Sequence, residues 1–241
     1  MELYSLASIV AFFQKGGLFM YPILFVFVAG LAIAVERWFH LSGIRNVNRK
    51  MWVKLDPMLA KGELDKVTAI INKDKSTISQ MLAMGLARLG AVRRRDDIEI
   101  AMEESMMEII PKLERRTPYV ALLSNIATLL GLLGTIMGLI EAFTAVANAN
   151  PAEKADMLSA SISVAMNTTA FGLMSAIPLL LLHAKLTSTT GQIIDSLEMA
   201  SVRALNTISS INRVRMETNS EYSGGRVRCS QTAGGVLDLR A

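Results

Sequence analysis

Three long runs of apolar residues without a formal charge dominate the pattern of this chain. They cover residues 18–35, 119–140 and 158–182. A helix that crosses a bilayer needs about 20 largely apolar residues, so each run has roughly the required length. The first run is closed by a charged pair and a tryptophan at 36–38, and no small-residue cleavage motif follows, which favours a retained helix over a signal peptide. The pattern therefore predicts three transmembrane helices, at 18–39, 119–147 and 157–182.

The positive charges between these helices predict their orientation. Lysines and arginines are concentrated in 40–118 and recur after residue 182, whereas 148–156 holds one lysine against two acidic residues. Because cytoplasmic loops carry the excess of basic residues, we expect a multi-pass protein of the bacterial inner membrane with its N-terminus outside and its C-terminus in the cytoplasm. The other predicted segments are an outer N-terminal segment (1–17), a cytoplasmic helical region (40–118), a periplasmic loop (148–156), a cytoplasmic C-terminal helix (183–218) and a flexible tail (219–241).

The regions assigned to the cytoplasm have helical patterns, and the sequence shows no strand pattern. Residues 55–71 are typical of two short helices with a break near Lys61 and Gly62. Ser76 is a favourable N-cap for a following helix that runs to about Leu89.

A longer helical pattern leads into the second span. Its apolar periodicity starts near Asp97 and continues to about Ala147, and we expect Pro111 and Pro118 to kink this helix without necessarily ending it. A similar spacing persists after the third span. We therefore predict an all-α integral membrane protein with three transmembrane helices, two of which extend far into the cytoplasm, and a small helical cytoplasmic region.

Composition excludes several classes of function. Hydrophobic residues make up 51% of the 241 residues and charged residues only 19%, which agrees with a membrane protein. A single cysteine and two histidines leave little material for a disulfide framework, a metal centre or a catalytic site in the spans. The net charge of +4 reports topology, and the arginines at 93–95 are expected to face anionic membrane lipid, so we predict no nucleic-acid partner and no enzyme activity.

Polar and small residues inside the uncharged spans are the candidate functional residues. In the second span they are Thr128 and Thr135 beside Gly131, Gly134 and Gly138. In the third span they are Ser161, Asn167, Thr168, Thr169, Gly172 and Ser175, followed by Pro178, which is expected to kink the helix. Close packing of helices explains most single hydroxyls. The cluster at 167–169 also offers oxygen ligands to a partly dehydrated cation, and both interpretations remain open.

Two segments carry a family resemblance. LLGLLGTIMGLIEAF (129–143) and SVAMNTTAFGLMSAIPLLL (163–181), together with the charged pair that closes the first span, resemble the MotA/TolQ/ExbB proton-channel family, and the three-span layout resembles its ExbB/TolQ branch. The resemblance covers roughly residues 1–210. It implies a homopentamer around a dimer of a single-span partner of the ExbD, TolR or MotB type, whose membrane aspartate supplies the acid that the spans of this chain lack. It also implies that Thr135 and Thr169 face the ion pathway, beside Asn167 and Thr168, and that the glycines pack helices.

One position departs from the family pattern. The branch typically has a glutamate five residues before the third-span threonine, and this chain has Val164 there. The doublet of Thr168 and Thr169 is similar to the paired threonines of sodium-driven stator chains, so the transported ion is H⁺ or Na⁺, and no cofactor is expected. The resulting function is that of a channel and stator subunit of an ion-driven membrane motor. The alternative is a structural scaffold that assembles a complex without conducting.

Overall fold

The computed structural model describes residues 16–89, 95–147 and 150–233, and within its last helix it describes side chains as far as residue 211. Every regular element in this part of the chain is a helix, as the sequence predicts. The helices are α1 (Met20–Ala60), α2 (Leu64–Ile71), α3 (Thr77–Leu89), α4 (Arg95–Glu114), α5 (Thr117–Ala147) and α6 (Lys154–Ala233). The predicted outer segment 1–17 lies outside the described residues except for its last two.

The three predicted transmembrane helices are confirmed by length and composition. Long apolar helical stretches occur at Met20–Ala60, Arg95–Ala147 and Lys154–Ile211, and each is longer than a bilayer crossing requires. The first turn of α1 accommodates Pro22, where a missing backbone N–H leaves no helical hydrogen bond unmade. α6 accommodates Pro178 in its interior.

The chain forms two compact units. The first comprises Met1–Gly43 and Pro111–Gln192 and contains the apolar parts of the three long helices. A cluster of buried Ile23, Ala127 and Ala176 lies in it, one residue from each of α1, α5 and α6. Small residues at two of the three positions permit close packing of the helices.

The second unit comprises Ile44–Ile110 and Ile193–Ala241. Its core consists of apolar side chains and includes Leu55, Val67, Met81, Leu82, Met102 and Leu197. Met81, Leu82 and Leu197 lie on helical stripes that the sequence predicts. On α4 the expected stripe through Ile100 and Met107 is wrong, because both residues are exposed and Met102 is buried instead. The expected helix from Ser76 is confirmed. The Ser76 hydroxyl accepts a hydrogen bond from the backbone N–H of Ser79 at 3.3 Å, the N-cap geometry.

The break near Lys61 and Gly62 is confirmed and has a clear cause. Gly62 has φ +73°, a conformation that a residue with a side chain adopts only at a cost. The N–H of Gly62 bonds the Leu59 carbonyl and the N–H of Glu63 bonds the Met58 carbonyl, the paired pattern of a glycine-terminated helix. The segment before the break is not a separate short helix, however, because it forms the end of α1.

The helix expected to continue from Asp97 into the second span is instead interrupted. α4 ends at Glu114 and α5 begins at Thr117, with Arg116 between them at φ +68°. Pro111 remains inside α4. Pro118 lies in the first turn of α5, where its lack of an N–H is tolerated and its ring no longer meets the carbonyl of an earlier turn.

A second difference concerns the predicted flexible tail. α6 continues to Ala233, well beyond the boundary expected at residue 219. No proline follows Pro178 in the sequence, and the two glycines at 224–225 each lower helix stability by about 1 kcal/mol without removing a backbone donor. Residues 234–241 lie outside the described part of the chain.

Candidate functional site

Two of the predicted packing glycines bring α5 and α6 together. A methyl group added at Gly131 would lie 3.2 Å from Cα of Gly172, and one added at Gly172 would lie 2.9 Å from both Cα of Gly131 and the Ala127 carbonyl oxygen. Only glycine allows two helix backbones to approach this closely. Gly138 contacts Ala165 in the same way, with an added methyl group 2.8 Å from its Cβ. The contacts advance along α5 as they recede along α6, so the two helices are antiparallel.

Thr169 lies at this close approach. Its hydroxyl donates a hydrogen bond of 2.7 Å to the backbone carbonyl of Gly131 on α5, and its side chain is half-buried. Because a threonine hydroxyl has one proton and two lone pairs, this bond leaves the oxygen able to accept a proton donor or to coordinate a cation.

Thr168, the preceding residue, has different surroundings. It is buried, with 2% of its surface exposed. Its hydroxyl lies 2.7 Å from the Gly16 carbonyl oxygen and 3.0 Å from the Val164 carbonyl oxygen of its own helix. Its methyl group packs on Gly134, where an added methyl would come within 2.4 Å of it. The structure therefore brings Thr168 together with the turn that precedes α1 and with α5.

The other predicted residues are near this region but are bonded differently. The hydroxyl of Thr135, next to Gly134, donates to the Leu132 carbonyl of its own helix at 2.6 Å. Asn167 is half-buried on α6 beside the threonine pair. Pro178 lies two residues after Ala176, whose carbonyl accepts a hydrogen bond from α5.

Sequence reasoning missed the donor of that last bond. The Ser124 hydroxyl donates to the Ala176 carbonyl at 2.8 Å and is fully buried. A signal for it existed, because Ser124, Gly131 and Gly138 are spaced by seven residues and share one face of α5. The contact between Gly30 of α1 and Leu179 of α6 was also missed.

The charged pair that closes the first span has partners at the break between α4 and α5. The Arg116 guanidinium lies 2.9 and 3.0 Å from the two carboxylate oxygens of Glu36. Arg37 has only 4% of its surface exposed and donates to the Leu113 carbonyl in the last turn of α4. The exposed carbonyls at the C-terminus of a helix carry partial negative charge, which favours a cation there.

This arrangement offers one kind of chemistry. Its polar atoms are hydroxyl and carbonyl oxygens, which are ligands for hard cations. The uncharged runs 119–140 and 158–182 contain no acidic, basic, histidine or cysteine residue.

Comparison with known proteins identifies the family. The model of the MotA/TolQ/ExbB proton channel family matches residues 73–199, more than half of the chain. The chain belongs to the MotA/TolQ/ExbB family. Membership makes it an integral membrane subunit of the proton-channel, energy-transducing type, and the resemblance seen in the sequence is confirmed.

Individual relatives support the ExbB/TolQ-like branch. A putative biopolymer transport protein ExbB homolog of Methanothermobacter thermautotrophicus is 26% identical over 235 residues, which cover 97% of this chain and 81% of the relative. A putative biopolymer transport protein, ExbB-like 1, of Synechocystis sp. is 28% identical over 195 residues, which cover 76% of this chain and 72% of the relative. A solved structure of C. jejuni MotAB is similar with a TM-score of 0.57 and 17% identity over 86% of this chain and 87% of that chain, so the MotA-like fold is shared.

Proposed function

We propose that this protein is the channel and stator subunit of an inner-membrane motor that couples an ion gradient to mechanical work. The observation that carries the proposal is Thr169, whose hydroxyl is oriented by the Gly131 carbonyl at the close approach of two uncharged helices. Fixing the proton of the hydroxyl in this bond directs the lone pairs of its oxygen away from the carbonyl. A ring of such oxygens from several copies would form a polar layer within the membrane.

The missing acid points to a partner. An ion pathway through an apolar bilayer requires a group that binds the proton or balances the charge of the cation. Since the uncharged runs of this chain lack one, we infer a single-span partner of the ExbD, TolR or MotB type with a membrane aspartate. The family resemblance further supports a homopentamer of this chain around a dimer of that partner, with the N-terminus outside and the C-terminus in the cytoplasm.

Val164 favours sodium over the proton as the transported ion. A glutamate at this position would supply a second proton carrier, whereas valine supplies none. Hydroxyl oxygens coordinate Na⁺ without any change of protonation, so a pathway built on Thr169 and one aspartate suits sodium.

The test is to co-express the chain with its single-span partner and to record motor output while sodium and proton gradients are varied separately. We expect output to follow sodium and Thr169→Val to reduce it by about tenfold, the loss expected when one oxygen ligand is removed. The matched control is Thr144→Val. Thr144 donates to a carbonyl of its own helix, at 2.8 Å, whereas Thr169 donates to a neighbouring helix. Thr144 also lies exposed nearer the end of α5, so its replacement should leave output unchanged. Output that follows only the proton gradient would retain the motor and exclude sodium.

A non-conducting scaffold is the second candidate, and one observation favours it. The hydroxyls of Thr135, Thr168 and Thr169 all donate to backbone carbonyls, which is what packing alone would require. In that case Thr169→Val would preserve both assembly and output, and output would depend on neither the sodium nor the proton gradient.

A further inference from the structure

The turn before the first span has a buried backbone that needs a hydrogen-bond partner. Gly16 is buried, and Gly17 has φ +74°. Nearby, the first turn of α1 is closed by long hydrogen bonds, from the N–H of Met20 to the Gly17 carbonyl and from the N–H of Tyr21 to the Leu18 carbonyl, both 3.4 Å. A carbonyl buried among apolar helices is costly unless a donor reaches it.

Thr168 supplies that donor from α6. Its hydroxyl is 2.7 Å from the Gly16 carbonyl oxygen, although the two residues are 152 positions apart in the sequence. Gly17 also lies close to α6, because a methyl group added at this residue would lie 3.2 Å from Cγ1 of Val164, one turn before Thr168. The segment at Gly16 and Gly17 therefore packs against two consecutive helical turns of α6, at Val164 and at Thr168.

Packing holds the Thr168 side chain in the orientation that this bond requires. Its methyl group occupies the space that the absent side chain of Gly134 leaves on α5. Its burial to 2% exposure leaves little room for another rotamer. Lys154, the first residue of α6, lies 14 positions earlier, which is about 21 Å along the helix, so the contact is well inside α6 and not at its end.

We propose that the two adjacent threonines have separate roles, Thr168 anchoring the turn that starts the first span and Thr169 alone contributing its oxygen to the ion pathway. The second half of this statement rests on the function proposed above. The first half stands on the geometry of the turn. Thr168 is thus a positioning residue, which sets where α1 begins against α5 and α6.

The test places a spin label on the turn. The single cysteine, Cys229, is replaced by serine, and Leu18→Cys is labelled with a nitroxide because its side chain is 80% exposed. A label at Phe25, 76% exposed on α1, is the control. We expect Thr168→Val to increase the ratio of mobile to immobile label at position 18 by about fivefold, the effect of losing one hydrogen bond. Thr168→Ser should preserve the wild-type spectrum, and no variant should alter the spectrum at position 25.

Comparison with Thr169 separates the two roles. Thr169→Val should leave the label at position 18 unchanged and reduce motor output. Thr168→Ala should leave the sodium concentration for half-maximal output unchanged, because it removes a hydroxyl that binds the turn and not the ion. Should Thr168→Val fail to fold, Thr168→Ala removes the same hydroxyl without adding volume against Gly134.

An unchanged spectrum at position 18 in Thr168→Val or Thr168→Ala would overturn the proposal that Thr168 anchors the turn. A shift of the sodium concentration for half-maximal output in Thr168→Ala as large as in Thr169→Val would overturn the separation of roles. If output does not depend on any ion gradient, the proposed function is refuted. The spectrum of the label at position 18 would still test whether Thr168 anchors the turn.

Discussion

At the scale of single residues, several hydroxyls in the described spans donate hydrogen bonds to backbone carbonyls. Ser124 and Thr169 donate to carbonyls of a neighbouring helix, and Thr168 donates to a carbonyl outside the helices. In an apolar environment a hydroxyl without a partner is costly, so each residue meets a structural requirement before it is available to an ion. Thr169 can do both, because its oxygen keeps lone pairs after its proton is bound.

In the second unit, the carboxylate of Asp74 accepts hydrogen bonds from two serines, and these bonds lead to a prediction about the pH dependence of stability. One of its carboxylate oxygens accepts from the backbone N–H of Ser76 at 3.1 Å and from the Ser79 hydroxyl at 2.9 Å. The pKa of Asp74 is lowered below its ordinary value of 3.8, chiefly by the side-chain hydroxyl of Ser76. The Ser79 hydroxyl and the backbone N–H of Ser76 lower it further, and partial burial opposes them. Its carboxylate therefore stabilises the fold at all pH values above about 3.8, and the contribution is lost as the pH falls from there through the lowered pKa.

We expect Asp74→Asn to lower the free energy of unfolding by about 1 kcal/mol at neutral pH, the contribution of a hydrogen bond to a charged acceptor near the surface. The difference from wild type should vanish below the lowered pKa. Denaturant unfolding followed by the fluorescence of Trp52, in a Trp38→Phe background, measures this in the same unit. Asp65→Asn, at an exposed position on α2, is the matched control. A constant difference between Asp74→Asn and wild type at every pH would refute the argument.

At the scale of helices, the junction between α4 and α5 is the element that sequence patterns did not predict. The apolar periodicity runs through it, and the prolines at 111 and 118 mark the neighbourhood without identifying the broken residue. Arg116 adopts a left-handed conformation, which costs an arginine about 1 kcal/mol. The Glu36 carboxylate and the Arg37 guanidinium contact this junction from the end of the first span. No local pattern encodes such a contact, since it depends on how three helices pack.

The strained backbone at Arg116 leads to a prediction about stability. Glycine should be the more stable replacement at position 116, and alanine the more stable replacement at position 115. Arg116→Gly should be more stable than Arg116→Ala by about 1 kcal/mol, because glycine adopts positive φ without strain and both variants lose the same ion pair. That pair is about half exposed on both sides, so its own contribution is expected to be below about 1 kcal/mol. Arg115, which lacks positive φ, is the control, and there alanine should be the more stable replacement. The measurement is the thermal midpoint of purified protein in detergent, and equal midpoints for the two variants at position 116 would contradict it.

At the scale of the whole chain, the parts that sequence predicted are those set by local physical chemistry. The uncharged runs predicted the three long apolar helices, Gly62 predicted a helix break, and Ser76 predicted the start of α3. The partners of Thr168 and Thr169 could not be predicted in this way. Two threonines adjacent in sequence point about 100° apart around a helix, and which neighbour each meets depends on the register of α5 and on the turn at Gly16. The glycines were predicted to pack, and the structure adds what each one packs against.

The orientation of the chain in the membrane is the whole-molecule prediction that follows from charge alone. Residues 40–118 contain the largest group of lysines and arginines, while 148–156 contains a single lysine, so the positive-inside rule assigns these segments to opposite sides. In a Cys229→Ser background, Ala152→Cys should react with a membrane-impermeant maleimide in intact cells from which the outer membrane has been removed. Lys66→Cys, at an exposed position of α2, should react only after the membrane is permeabilised. Both positions are exposed and lie outside the apolar runs, so a difference in reactivity reports the side of the membrane and not burial in it. Labelling of both in intact cells, or of Lys66→Cys alone, would contradict the predicted topology. Labelling of Lys66→Cys alone would also reverse the direction in which the proposed pathway is entered.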